Sequence, residues 1–200
     1  VATDDERIKK TVEKYGGNCM LTSKALSSGT ARCAAVITQL TESFDAVINI
    51  QGDEPFIHHD HIKTVVSLLE SHAEIATLAK KITSDKELQN PNIVKVLINT
   101  SGKALYFSRH AIPYIRNISG VASCQDYDFY KHIGLYGYQT KVLKKIVDLP
   151  PSDLEEAEKL EQLRWLDHNY SVYAGITEKE SFGIDTPEDL KELEKFLNHS

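Results

Sequence analysis

The stretch "VINIQGDEPF" ends an apolar, β-branched run (Val47, Ile48, Ile50) in a glycine, two adjacent carboxylates and a proline. Carboxylates avoid burial unless they are paired or bound to a metal. A solvent-facing turn satisfies these letters, because Gly and Pro punctuate turns. A metal site at Asp53 satisfies them too. Mg²⁺ takes one or two protein carboxylates together with substrate phosphates, and open α/β sheets bind ligands beyond the carboxyl ends of their strands. Asp185 in "FGIDTPEDL" repeats the pattern, an acid after a glycine and an apolar residue, just ahead of a helix. The plain alternative is an ordinary helix start, with Pro187 at the first position and acids in the first turn. Asp53 and Asp185 can hold one cation between them only if the fold brings them together, which spacing alone does not establish.

Other residues offer recognition chemistry. Arg109 follows the aromatic run "ALYFS", where a guanidinium can grip a carboxylate or phosphate bidentately or form a surface ion pair. In "KHIGLYGYQ", His132 and Tyr136 are four apart and fall on one face of a strand, with Gly134 clearing space between them. A structural histidine and a core tyrosine fit the same letters. "SSGTAR" supplies Ser28, a glycine and Arg32 at a helix start, where anions bind readily. In "LEEAEKLEQLRWL", Glu161 and Gln162 flank a stripe of Leu154, Ala157, Leu160, Leu163 and Leu166; a solvated helix face is their default place. The chain contains no P-loop, GxGxxG, GxSxG or HExxH motif.

The elements that must position these residues alternate. Periodicity and capping predict a helix near 5–15, capped by Thr3 or Asp4, and a short apolar piece "NCMLT". A helix near 30–40 follows, capped by Ser28 or Thr30, and then the strand "AVINI". Beyond the acidic turn come a helix through "HIKTVVSLLESH" and a strand "EIATLAKKI". "NIVKVLIN" and "KALYFS" read as two strands joined by the turn "TSGK". Residues 114–131 read as an aperiodic loop, ahead of the strand "HIGLYGYQ". "TKVLKKIVDL" predicts a short helix, "DLEEAEKLEQLRWLDHN" one long helix, "YSVYAGI" a strand and "TPEDLKELEKFLNH" a closing helix. Such alternation predicts an α/β fold with a mostly parallel sheet and a small antiparallel section.

The 200 residues suit one domain with a sizeable core, and 41% hydrophobic and 26% charged residues are ordinary for a globular protein. A net charge of −6 without any basic tract argues against nucleic acid and against an anionic membrane surface. No apolar run is long enough to span a bilayer. Cys19, Cys33 and Cys124 are scattered, with no CxxC pair, which disfavours a zinc ribbon or disulfide framework and makes a reducing cytoplasm the expected home.

Taken in order, "SSGTAR", "VINIQGDEPFI", "ATLA", "NPNIVKV", "ALYFSRHAIPY", "HIGLYGY", "LEQLRWL" and "GIDTPEDL" closely resemble the 3-deoxy-manno-octulosonate cytidylyltransferase (CMP-Kdo synthetase) family over nearly the whole chain. The resemblance implies a Rossmann-like nucleotide-diphospho-sugar transferase fold, cytoplasmic, homodimeric and Mg²⁺-dependent. It implies a reaction of CTP with 3-deoxy-manno-octulosonate (Kdo) that yields CMP-Kdo and pyrophosphate for lipopolysaccharide biosynthesis. By the family's pattern, Asp53 and Asp185 would hold Mg²⁺. Gln51 and Arg109 would face the sugar, with Arg109 suited to its carboxylate and counted with the two acids as catalytic. His132, Tyr136, Glu161 and Gln162 match the remaining sugar contacts, while Ser28 and Arg32 fall on the cytidine side. The family also opens with a strand and a basic phosphate-binding loop, and nothing like that loop occurs here; residues 1–200 are therefore expected to form a single nucleotidyltransferase domain that is N-terminally incomplete. Two other readings stay open: activation of another acidic sugar, such as a sialic or pseudaminic acid, and an inactive sugar-binding fragment. A metal-dependent sugar transferase fits less well, since QGDEP lacks an Asp-x-Asp pattern.

Overall fold

A computed structural model describes residues 1–54, 57–118, 120–180 and Ile184. The expected closing helix and Asp185 lie outside the described residues. The chain opens with β1 (Ala2–Thr3), α1 (Glu6–Lys14), β2 (Met20–Leu21), α2 (Gly29–Gln39) and β3 (Ala46–Ile50). Next come α3 (His59–Ser71), β4 (Ile75–Lys81), α4 (Asp85–Gln89), β5 (Lys95–Ile98) and β6 (Ala104–Ser108). The rest comprises β7 (Tyr130–Gln139), α5 (Thr140–Ile146), α6 (Asp153–Glu158), α7 (Glu161–Asp167) and β8 (Val172–Ile176). Local chemistry sets the helix starts. Asp5, not Thr3 or Asp4, caps α1 by accepting from the Arg7 N–H, and Ser28 caps α2 by accepting from the Ala31 N–H.

Long β7 organises a mixed six-stranded sheet. β4 runs antiparallel along one edge of it, and β8 lies parallel to β4 beyond. On the other edge, β3 pairs with Leu135–Gln139 and β5 meets Lys131, both antiparallel. β6 closes a hairpin on β5. β3, β4, β5 and β8 therefore point one way and β6 and β7 the other, which is the mixed α/β architecture the alternation predicts. β1 and β2 form a separate parallel pair.

Alternation along β7 separates two packed layers, as a period of two requires. Ile133 and Leu135 pack with Ala76 and Leu78 beneath Val65 and Leu69 of α3. Tyr136 and Tyr138 turn to the opposite face, where Val142, Leu143, Leu163 and Trp165 of α5 and α7 complete the main core. At Gly137 the sheet and α3 approach so closely that a Cβ would lie 2.4 Å from Val65 Cγ1. With both faces covered, the sheet leaves its ends as the place for a site.

One expectation is corrected. The single helix expected across 153–169 is two helices. Lys159 adopts a left-handed conformation (φ 54°, ψ 48°) and Leu160 is extended before α7 begins. The break leaves Leu154 39% exposed, off the buried stripe assigned to it, while Leu160 and Leu163 are buried as expected. It also puts Glu161 and Gln162 in the first turn of a new helix instead of on the flank of a continuous one.

Candidate functional site

β3 and β5 reach the same edge of β7 but leave Ile133 and Gly134 between them. This fork opens into a cavity of about 880 Å³. Gln51 and Asp53 line it from the turn after β3, Arg109 from the end of β6, His132, Gly134 and Tyr136 from β7, and Glu161 and Gln162 from the start of α7. Residues scattered over more than a hundred positions of sequence thus share one concave surface. A Cβ on Gly134 would lie 3.7 Å from Glu54 Oε1 and 3.9 Å from Gln51 Cδ, so this glycine leaves the floor between those side chains clear.

The face shared by His132 and Tyr136 is observed, with ring centroids 5.1 Å apart. His132 Nε2 lies 2.9 Å from Thr77 Oγ1, and that hydroxyl is 2.8 Å from the Leu135 carbonyl. A hydroxyl has one proton and a carbonyl can only accept, so Thr77 donates to Leu135. His132 Nε2–H must then donate to Thr77, which makes Nδ1 the ring's acceptor. Burial pushes the His132 pKa down to about 3, so the ring is neutral at physiological pH. It can recognise a hydroxyl but cannot neutralise an anion. Burial first, then Tyr138 and the Glu161 carboxylate, raise the pKa of Tyr136, whose hydroxyl stays protonated and finds no partner among the described residues.

Positive charge comes instead from Arg109. Its guanidinium donates to three main-chain carbonyls, those of Glu158 (2.8 Å), Pro91 (3.1 Å) and Lys159 (3.5 Å). Among the described residues the guanidinium forms no ion pair; the nearby Glu158 carboxylate accepts instead from the main-chain N–H of Arg109 (2.9 Å) and from Ser108 Oγ (2.6 Å). The left-handed turn at Lys159 therefore also serves the site, since it presents two of those carbonyls.

Behind Arg109 lies Lys95, fully buried, whose ammonium donates to the carbonyls of Asn90 (2.9 Å), Ile93 (2.7 Å) and Arg109 (2.7 Å). Burial, and secondarily Arg109, depress its pKa. With all three protons used, Lys95 ties the Asn90–Ile93 wall to Arg109.

Glu161 joins the cavity to the start of α2. Its carboxylate accepts from Ser28 Oγ (2.9 Å) and Thr30 Oγ1 (2.8 Å). Ser28 thus sits at the edge of the site as cap and ligand of Glu161. Arg32 is not brought in: it pairs with Asp4 (3.0 Å) and donates to Thr22 Oγ1 (2.6 Å), and it does not line the cavity.

Asp53 is exposed to the cavity and has no ion-pair partner among the described residues. Its carbonyl accepts from the N–H of Ile184 at 2.7 Å, the residue immediately before Asp185 in sequence. An open carboxylate in a cavity rich in oxygen donors fits a hard cation such as Mg²⁺. Sequence reasoning missed Asn49, Lys131 and Trp165, which also line the cavity. Lys131 is ion-paired to both Glu87 and Glu180. Asn49 and Trp165 lie inside the stretches "VINIQGDEPFI" and "LEQLRWL", yet no spacing or residue type singles out any of the three.

The cytidylyltransferase family model matches residues 1–179. A 3-deoxy-manno-octulosonate cytidylyltransferase of Parabacteroides distasonis is 48% identical over 98% of this chain and 80% of its own length. An 8-amino-3,8-dideoxy-manno-octulosonate cytidylyltransferase of Shewanella baltica is 43% identical over 98% of this chain and 80% of its own. Among solved structures, a CMP:2-keto-3-deoxy-manno-octonic acid synthetase in complex with CTP superposes with a TM-score of 0.88 at 34% identity, covering 100% of this chain and 80% of that one.

Proposed function

The chain belongs to the cytidylyltransferases, and we propose that it joins CTP to Kdo, giving CMP-Kdo and pyrophosphate. One observation carries the reading: Gln51, Asp53, Arg109, His132, Tyr136, Glu161 and Gln162 line a single cavity at the sheet fork, in a chain 48% identical to a named Kdo cytidylyltransferase.

The anomeric hydroxyl of Kdo attacks the α-phosphorus of CTP in line, a new P–O bond forms, the hydroxyl proton is lost, and pyrophosphate leaves. Such transfers need positioning and charge neutralisation more than covalent help from the protein. Arg109 is suited to the sugar carboxylate, because its guanidinium forms no ion pair among the described residues and its plane is held by three carbonyls. Neutral His132 accepts a hydrogen bond from a sugar hydroxyl, and Gln162, Gln51 and Tyr136 complete the lining for a polyol. Ser28, beside Glu161, stands where the cytidine side meets the sugar side.

Asp53 and Asp185 would hold Mg²⁺, and the ion when bound neutralises phosphate charge and orients the hydroxyl. The hydrogen bond from Ile184 to Asp53 supports this pairing. The same reading carries a cytoplasmic homodimer serving lipopolysaccharide biosynthesis; among the described residues no helix is long and apolar enough to cross a membrane.

The test is product identity. The protein is incubated with CTP, Mg²⁺ and, separately, Kdo, its 8-amino-8-deoxy analogue or a sialic acid, and phosphorus NMR reads the products. CMP-Kdo as the preferred product supports the reading; turnover confined to another acid overturns it.

A further inference from the structure

We propose that Trp165 is a specificity-determining contact of this site, its indole N–H donating to an oxygen of the bound sugar acid. The inference rests on the sugar-acid reading above. Trp165 is 1% exposed and packs edge-on against Tyr136 (ring centroids 5.1 Å) and Tyr138 (5.7 Å). It also lines the cavity. Yet its Nε1–H has no hydrogen-bond partner among the described residues, and the hydroxyl of its neighbour Tyr136 has none either.

Buried polar groups are almost always bonded, so two orphans on neighbouring rings whose residues line one cavity call for an explanation. Core filling does not supply one, since phenylalanine offers an aromatic ring with no N–H to satisfy. An indole can only donate, whereas a phenol donates or accepts, and His132 Nδ1 only accepts. Donor, donor–acceptor and acceptor along one aromatic wall match the hydroxyl and carboxylate oxygens of a polyhydroxy acid. Binding such a ligand would satisfy a donor that the protein leaves unmet, and an analogue without the matching oxygen would lose that contact.

Two measurements test this. The first is Trp165→Phe, which keeps the ring and removes the donor. The expected result is an increase of about tenfold or more in the KM for Kdo, with the KM for CTP unchanged. A merely structural tryptophan would leave the KM for Kdo alone, whatever the cavity left by the smaller ring costs in melting temperature. The second uses the wild-type protein. Trp165 is the sole tryptophan of the 200 residues, so intrinsic fluorescence reports on its surroundings even if the variant fails to fold. Kdo added to protein saturated with Mg²⁺ and a non-hydrolysable CTP analogue should shift or quench emission beyond the effect of the analogue alone. Unchanged emission at saturating Kdo, an unchanged KM for Kdo, or a rise in the KM for CTP instead would each overturn the assignment. Failure of the wild type to turn over Kdo at all is a different result: it refutes the sugar reading and takes this inference with it.

Discussion

Acid should weaken this protein through His132 before it does so through an ordinary surface histidine. The ring is buried against Phe107 and Tyr136, bonded to Thr77, and its pKa is depressed from 6.5 to about 3. As pH falls below about 6.5, the unfolded chain takes up a proton that the folded one refuses, so the unfolded state gains. Stability from this group is complete above the unfolded pKa and is lost progressively down to about pH 3. The slope approaches about 1.4 kcal/mol per pH unit, which comes to about 2 kcal/mol lost at about pH 5. The comparison is wild type against His132→Gln, which keeps a donor for Thr77 but does not titrate. Urea unfolding followed by circular dichroism, at about pH 7.5 and about pH 5, should show the wild type losing about 2 kcal/mol more than the variant. Stability curves that run parallel would refute the reasoning, and with it the claim that the site presents a neutral imidazole.

Four further outcomes are expected. Asp53→Asn should lower turnover by about a hundredfold or more with little change in melting temperature, because Asp53 is exposed and makes no ion pair among the described residues; near-normal turnover at saturating Mg²⁺ would remove it from the metal site. Lys95→Met should cost about 3 kcal/mol in urea unfolding, since three part-buried carbonyls lose a charged donor, and the KM for the sugar acid should rise as Arg109 loosens. Gly137→Ala should cost about 2 kcal/mol, its Cβ falling 2.4 Å from Val65 Cγ1 and 2.8 Å from Leu69 Cδ1. Gly134→Ala, with no contact closer than 3.7 Å, should leave stability nearly unchanged and impair activity by intruding on the cavity floor.

Local signals carried much of the architecture. "AVINI" is β3 to the residue, Ser28 is the cap of α2, and the face shared by His132 and Tyr136 follows from a strand's period of two. Features set by distant partners were not legible. The break at Lys159 has no Gly or Pro to announce it, and the apolar spacing runs straight through; the left-handed turn is held by tertiary contacts, including the grip of Arg109 on Glu158 and Lys159. Nothing in "NIVKVLIN" marks Lys95 as buried, because two of its three carbonyl partners come from loops on either side of the strand, at Asn90 and Arg109. Arg32 resembled an anion ligand in "SSGTAR", but its spacing cannot reveal that Asp4 stands 3.0 Å away. Nothing in "LEQLRWL" marks Trp165, since an unmet N–H is visible only once the core around it is built.

The most direct measurement is pyrophosphate release from CTP by the protein, with Mg²⁺, in the presence and absence of Kdo. The account predicts release that depends on Kdo, saturates with it and matches CMP-Kdo formed one for one. Release that ignores Kdo, or that appears only with a different sugar acid, would contradict it.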